Sequence, residues 1–325
     1  MKYDFIAIGG AVEDITFKTD EGVLIDNKDD VLRQKLVGFE YGAKIRINDV
    51  YRFPGGGANN AAVAMAKMGF SVVMLGAVGE DESGDRLIKN LAANKIDTRL
   101  VKRVAGVETG FSFIVITQNN EHVAFVYRGA NDKLFADQAA VSMFPDTEWL
   151  YVTSLSGQWE KVLDQVFSAK EPLVAWNPGN VQLAAGVDRL RKYLQKTTVF
   201  MVNKDEAIEL TISSGKYKNE DENYLNQTSN LLTALKGFGP KTVLITDGER
   251  GADFYDGDNF YHQDSLRVPP EKIADTTGVG DAFCSTFIAG LELYEGDIKQ
   301  ALKLAMKNSA ATLKEAGAQN GLLSI

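Results

Sequence analysis

Short runs of apolar, β-branched or aromatic residues punctuate the chain at Phe5–Ile8, Val72–Leu75, Leu150–Thr153, Leu173–Trp176, Val199–Val202 and Val243–Thr246. Several are apolar throughout, the pattern of strands covered on both faces. Between them, apolar residues recur at helical spacing near 58–68, 83–94, 157–169, 182–195, 222–237, 280–293 and 298–316. Strand and helix in alternation predict an α/β fold, a mostly parallel sheet with helices on both faces.

Two regions depart from that rhythm. Residues 15–52 mix charged and alternating segments without a long helix. Residues 111–128 read as a hairpin, FSFIVIT and HVAFVYR about the turn Gln118–Glu121. Together they predict a small β layer set apart from the main sheet. It would lie as a lid over the strand ends, where ligands of open α/β sheets bind. The polar stretch 216–227 reads as a surface excursion before a helix.

Composition narrows the function more than the fold. At 325 residues the chain fits two average domains or one large α/β domain. With 45% hydrophobic and 24% charged residues it is neither disordered nor fibrous. A net charge of −9 opposes binding to nucleic acid or to anionic lipid. The single cysteine, Cys284, precludes an intrachain disulfide and reads as a core thiol on the apolar face of its helix. Two distant histidines, His122 and His262, cannot join it in a zinc site of the usual spacing. The opening MKYDFIAIGG lacks the features of a secretory signal, and no run is long enough to span a membrane, so a cytoplasmic protein is expected.

Chemistry concentrates in two glycine strings. The string DTTGVGDAFCSTFIAG, Asp275–Gly290, sets a flexible turn before an amphipathic helix with Asp281 in its first turn. Backbone amides of Gly278, Val279 and Gly280 at a helix N-terminus suit an anion. A phosphoryl group in transfer could rest there, with Asp281 beside it to take a proton from an attacking hydroxyl. An ordinary capped helix explains a short Gly-x-Gly-Asp equally well, but accounts less well for the whole string. In PGGGANNAAVAMAKMG, Pro54–Gly69, consecutive glycines allow close approach of a ligand to the backbone. Asn59 and Asn60 offer amides suited to hydroxyls. A Walker A loop and a GxGxxG dinucleotide fingerprint are both missing, which argues against a dehydrogenase.

In this order, the two strings resemble the signatures of the ribokinase family, the PfkB-type carbohydrate kinases that include adenosine kinases. The resemblance extends over nearly the whole chain. It implies one ribokinase-like domain over 1–325, a three-layer α/β/α core with the β lid inserted, and phosphorylation of a primary hydroxyl by ATP with Mg2+. Asp281 would then be the base, and Gly278, Val279 and Gly280 the anion hole. Asp14, closing GGAVED, matches the sugar-binding aspartate, and Gly56, Gly57 and Asn60 the rest of the substrate site. Gly57 stands where many ribokinases carry Lys, which weakens the case for ribose itself. Asn203 and Glu206 in NKDE are similar to an N-x-x-E motif, with Glu206 acting on Mg2+ through water, although the same residues read as a helix cap. Thr246, Gly248 and Gly251 match the TxGxxG segment at ATP, although a plain hairpin turn explains them too, and Asn308 falls where a nucleotide-side Asn often lies. Gly317–Gln319 resembles the end of a monovalent-cation (K+) loop, but Gly321 replaces a common Ser.

For the substrate, the order of expectation is a neutral sugar, then a nucleoside, then a sugar acid such as 2-keto-3-deoxygluconate. The 42 positions from Asp14 to Gly56 leave room for an enlarged lid, as in adenosine kinases. Arg128 could meet an acidic sugar, but a solvated charge at a strand end is the preferred reading. A ligand sensor without turnover is the alternative outside catalysis. Exposed apolar residues on the lid would let two copies pair into a dimer, unless Phe111, Phe113 and Phe125 serve the pocket instead.

Overall fold

The computed structural model describes residues 2–27, 35–117, 122–217 and 222–325. The turn Gln118–Glu121 lies outside them, as do parts of the lid and of the polar excursion. A nine-stranded sheet runs in the spatial order Phe260–Gln263, Ala252–Tyr255, Thr242–Thr246, Val199–Asn203, Leu173–Trp176, Thr147–Val152, Tyr3–Ile8, Val72–Gly79, Val101–Val104. The last seven are parallel, and the first two form an antiparallel edge.

Alternate residues of the central strands feed two separate cores. Ile6, Ile8, Leu150 and Val152 face one, with Trp176 and Phe144. Phe5, Ala7, Trp149 and Tyr151 face the other, against the Gly57–Lys67, Val279–Leu293 and Ile298–Thr312 helices. Burial on both faces is why these strands read as unbroken apolar runs.

A second sheet orders Asp49–Gly55, Val12–Lys18, Gly110–Ile116 and His122–Tyr127, and Val23–Asp26 pairs with Lys35–Gly38 beside it. The lid therefore begins three residues earlier than position 15, and Asp14 belongs to it. Glu13 on the adjacent position ties lid to core. Its buried carboxylate meets Arg52 of the lid at 2.8 Å and Arg86 of the Glu82–Ala93 helix at 2.7 Å.

Two expected helices are broken in the structure. The 182–195 stretch splits into Asn180–Leu183 and Gly186–Leu194, with Gly186 at φ 78° between them. Within 222–237, the Glu222–Asn226 helix ends before Thr228–Lys236 begins. A helix at Lys204–Ser213 was expected only as a start at NKDE.

Candidate active site

The Tyr3–Ile8 strand lies between Thr147–Val152 and Val72–Gly79, and the sheet grows first on the Val72–Gly79 side and later, from Thr147–Val152, on the other. A crevice at the carboxyl ends of such strands is where open α/β sheets bind ligands. Gly9 and Gly10 follow the first strand and Ser154–Ser156 follow the second, and all line one cavity of about 210 Å3. The lid contributes Asp14, Ser112 and Val126 to its wall, and the two glycine strings contribute Gly56, Gly57, Asn60, Thr277, Gly278 and Asp281.

The Asp275–Asp281 turn is held from within. The buried Asp275 carboxylate accepts the Thr277 amide at 2.9 Å, the Thr277 hydroxyl at 2.7 Å and the Gly317 amide at 3.1 Å. Gly278 then caps the Val279–Leu293 helix at φ 74°, and a Cβ there would stand 2.3 Å from that of Ala318. Both the left-handed backbone and the close approach require glycine. The amides of Val279, Gly280 and Asp281 belong to a first turn, where helices lack internal acceptors. Their partial positive charge favours an anion.

Asp281 is oriented by a chain of amides. Its Oδ2 accepts the Asn60 side-chain amide at 2.8 Å. Asn60 Oδ1 in turn accepts Gln319 Nε2 at 3.0 Å, and Gln319 Oε1 accepts Asn90 Nδ2 at 2.8 Å. Burial pushes the Asp281 carboxyl above its ordinary range, and the Asn60 hydrogen bond opposes that shift. Such a carboxylate is a stronger proton acceptor than one in water.

Asp14 faces the same cavity. Its strand pairs it with Phe53 on one side and Ser112 on the other. A Cβ on Gly55 would stand 1.9 Å from Asp14 Oδ2, so the first glycine of PGGG makes room for the carboxylate. Burial raises the Asp14 carboxyl to about 7; the Ser112 hydroxyl lowers it and the charges of Asp281 and Asp275 raise it further.

A second, more open cavity of about 420 Å3 brings together Asn203, Lys204, Thr246, Asp247, Gly248 and Arg250. Asp247 pairs with Lys204 at 3.2 Å and with Arg250 at 2.7 Å. Gly251, at φ 97°, closes the loop by accepting the Asp247 amide at 2.8 Å. Asn203 and Glu206 form a reciprocal cap, each side chain taking the other's backbone amide at 2.9 Å. Burial raises the Glu206 carboxyl, the Asn203 amide opposes that, and the charges of Glu209, Asp205 and Asp281 add to it.

Asn308 is not brought to either cavity. It is fully buried, donates to Thr286 Oγ1 at 2.6 Å and accepts the Leu323 amide at 2.8 Å. Phe111, Phe113 and Phe125 do not line the first cavity, and Phe113 and Phe125 are exposed. Cys284 is buried with its thiol pushed up by burial, as a core thiol should be. Arg128, read from the sequence as a solvated strand end, lines the first cavity instead. Ser112, Asn131 and Gln319 were not singled out for this site; Asn131 sits in the same YRGAN string as Arg128, the one signal available.

Known proteins share this fold and family. The model of the pfkB family carbohydrate kinases matches residues 25–325. The ribokinase of Bacillus subtilis is 30% identical over 276 residues, covering 83% of this chain and 84% of that protein. Among solved structures, an Arabidopsis thaliana ribokinase complexed with ribose and ATP has a TM-score of 0.78 at 17% identity, covering 100% of this chain and 96% of that one. A Burkholderia thailandensis nucleoside kinase in complex with inosine has a TM-score of 0.77 at 19% identity, covering 98% and 94%. The fold, the two glycine strings and the family match converge: the chain belongs to the PfkB family of carbohydrate kinases.

Proposed function

We propose that this ATP-dependent sugar kinase phosphorylates a primary hydroxyl of a small sugar, with Asp281 as general base. The observation that carries this is one cavity holding two carboxylates in different settings. Asp281 sits at a helix N-terminus on a chain of amides, and Asp14 sits in the lid beside Ser112. Asp14, once ionised, accepts two sugar hydroxyls. These contacts turn the primary hydroxyl toward Asp281. As the new oxygen–phosphorus bond forms, the hydroxyl proton passes to the Asp281 carboxylate, and the bond to the ADP leaving oxygen breaks. The Gly278, Val279 and Gly280 amides stabilise the charge on the moving group. Gly56, Gly57 and Asn60 close the sugar side.

The nucleotide belongs in the cavity of Asn203, Thr246, Gly248 and Arg250, shaped by Gly251. Asn308 supports that side only indirectly, through the Val279–Leu293 helix. Among the described residues no cluster of three or more acidic, His or Cys side chains could cage a metal. Mg2+ keeps its waters and binds through phosphates and one or two carboxylates; Glu206 is the residue to hold it, through water. When bound, Mg2+ screens the phosphate oxygens. Asp275 is buried, with no cationic partner among the described residues, and would suit K+ beside Gly317. Loss of turnover on exchanging K+ for a bulky organic cation supports that site.

The cavity of about 210 Å3 is smaller than the roughly 300–1,000 Å3 of sites for drug-sized ligands, which favours a single sugar ring over a nucleoside. The long lid is the observation that favours a nucleoside. We read the chain as one domain with the lid inserted. Exposed Val50, Tyr51 and Phe125 on that lid support pairing of two copies, and a monomeric mass at micromolar concentration would sink the idea. The decisive test is ADP release with Mg-ATP against ribose, fructose, 2-keto-3-deoxygluconate, adenosine and inosine, with Asp281→Asn as control. Turnover that falls about 10²- to 10⁴-fold in folded Asp281→Asn supports the reading. Near-normal turnover in that variant removes Asp281 from its role. Ligand-induced stabilisation without ADP release would make the protein a sensor.

A further inference from the structure

We propose that a third cavity, joined to Asp281 through Asn60 and Gln319, is a regulatory site for a small monocarboxylate held by Lys67, and that filling it raises turnover. The site lies outside the sugar and nucleotide cavities, and only its effect on turnover rests on the reading of Asp281 as the base.

This cavity has a volume of about 180 Å3 and shares no lining residue with the other two. Phe53 and Pro54 of the lid meet Lys67, Asn90 and the loop residue Gln319 around it. At about 30 Å3 for each water, it has room for about six waters or one small organic acid. Its walls carry a cation and no carboxylate. The partly buried Lys67 ammonium donates to the Gln319 carbonyl at 3.1 Å and the Leu322 carbonyl at 3.2 Å. An ammonium has three N–H groups, so one is left for a guest. No carboxylate pairs with Lys67 among the described residues, and burial pushes its pKa down with no charge acting against it. One unbalanced positive charge suits one negative charge, whereas a dianion would leave an excess in a partly dry site. The side-chain amides of Asn90, Asn94 and Asn320 each give an N–H to a protein acceptor: Gln319 Oε1, the Asn90 carbonyl and the Ala316 carbonyl. Each amide keeps a second N–H and an oxygen, which suit the oxygens and hydroxyl of a hydroxy acid.

Two routes join this cavity to the transfer site. Lys67 holds the Gln319 backbone and Asn90 holds its side chain, and Gln319 passes the contact to Asn60 and so to Asp281. Gly317, on the same wall, gives its amide to Asp275, which fixes the Thr277 turn. A Cβ on Gly317 would stand 2.6 Å from the Phe53 ring, so the lid and this loop touch at the cavity. A carboxylate bridging Lys67 and Asn90 steadies both holds on Gln319 at once. Asp281 is then kept longer in the orientation that Asn60 gives it, and kcat rises. Coupling of this kind requires that the acid bind the oriented state more tightly, which contacts on both sides of Gln319 provide.

The probe is potassium lactate, with lactamide as its neutral counterpart and inorganic phosphate as a dianion. Each is titrated by calorimetry into the full chain at constant potassium concentration. Wild type, Lys67→Gln, Lys67→Arg and Asn94→Phe are compared, with melting curves to establish folding. Lactate should bind saturably with a Kd of about 1 mM or tighter. Lys67→Gln should weaken it about 10- to 100-fold, and Lys67→Arg should recover most of that loss. Asn94→Phe, which fills the cavity and keeps the ammonium, should weaken it too. Absence of saturable lactate binding overturns the proposal, as does unaltered binding by Lys67→Gln. Lactamide binding as tightly as lactate overturns the role of charge, and phosphate binding more tightly than lactate overturns the monocarboxylate. Saturating lactate should raise kcat for ADP release at least about 5-fold in wild type and leave Lys67→Gln unmoved. A kcat that does not rise overturns the coupling. Binding is read without turnover, so near-normal activity in Asp281→Asn, which removes the base, is distinct from failure of lactate to bind.

Discussion

Replacing Asp14 by Asn should make the free protein more stable and a poorer binder of sugar. The fold buries this carboxyl and holds it at about 7 instead of 3.8. The folded chain therefore keeps a proton that the unfolded chain gives up. Stability contributed by this group falls as pH rises from about 4 to about 7, and is level above that. At about 1.36 kcal/mol per pH unit, the gap between 3.8 and 7 costs the folded state about 4 kcal/mol above pH 8. Asn cannot ionise and lets Ser112 keep a hydrogen-bond acceptor, so the variant escapes most of that cost. For 325 residues at about 2.1 cal/mol/K each, 4 kcal/mol corresponds to a rise of about 6 °C in Tm. At pH 5 the cost shrinks to about 2 kcal/mol and the rise to about 3 °C. The assay is differential scanning calorimetry of both proteins from pH 5 to 8.5, paired with KM for the sugar. KM should rise at least about 100-fold, because two charge-assisted hydrogen bonds are lost. In wild type, sugar affinity should weaken as pH falls below 7 and the carboxyl takes up its proton. A Tm difference that is zero, or that does not grow with pH, refutes the buried-charge argument. A stabilised variant with unchanged KM would instead remove Asp14 from the sugar site.

Gly280 offers a cleaner separation of stability from activity. A Cβ there meets nothing within 4 Å, so Gly280→Ala should keep or raise Tm while the methyl intrudes on the anion site and lowers kcat/KM by at least about 10-fold; unchanged kcat/KM counts against an anion there. Gly278→Ala should instead lower Tm, because the left-handed backbone and the Ala318 contact both oppose it. Gln319→Leu leaves Asn60 without its donor, and should lower kcat more than it raises KM; an equal effect on both in steady-state kinetics would deny the amide chain a role in orienting Asp281. Glu13→Gln weakens contacts to two half-exposed arginines and should cost about 1–3 kcal/mol by urea unfolding, with earlier proteolysis of the lid.

The strands of the main sheet were legible because burial on both faces leaves an unbroken apolar run. Leu173–Trp176 was read at its true limits for this reason. Two lid strands showed as the FSFIVIT and HVAFVYR hairpin, but Val12–Lys18 and Asp49–Gly55 carry no such mark. All four residues of Val23–Asp26 are exposed, so the short Val-Leu-Ile run there has no buried face to mark it as a strand. Gly186 broke a helix whose apolar phase continues across it, since Leu183 and then Val187, Leu190 and Leu194 are all buried. Periodicity records which side faces the core, and is silent on whether the backbone runs straight.

The site was legible to the extent that its chemistry is local. Asp281 and the amides before it occupy a single turn, and the glycine string announces them. The partners that orient that turn are remote: Gln319 and Asn60 are 259 positions apart, and Asn131 and Ala11 are 120. No spacing rule links such pairs, because the sheet order and not the chain brings them together. This also explains why Arg128 was misplaced. A cation at a strand end looks solvated until the loop after it is traced back to the first strand, where Asn131 fastens it. What the sequence leaves open is therefore a consistent kind of residue. Among the candidate groups, Asp281, Asn60 and Asp14 sit in local strings, whereas Ser112, Asn131 and Gln319 join the site only through contacts made in the folded chain. Substrate identity should accordingly be sought on the lid side of the cavity, around Asp14 and Ser112.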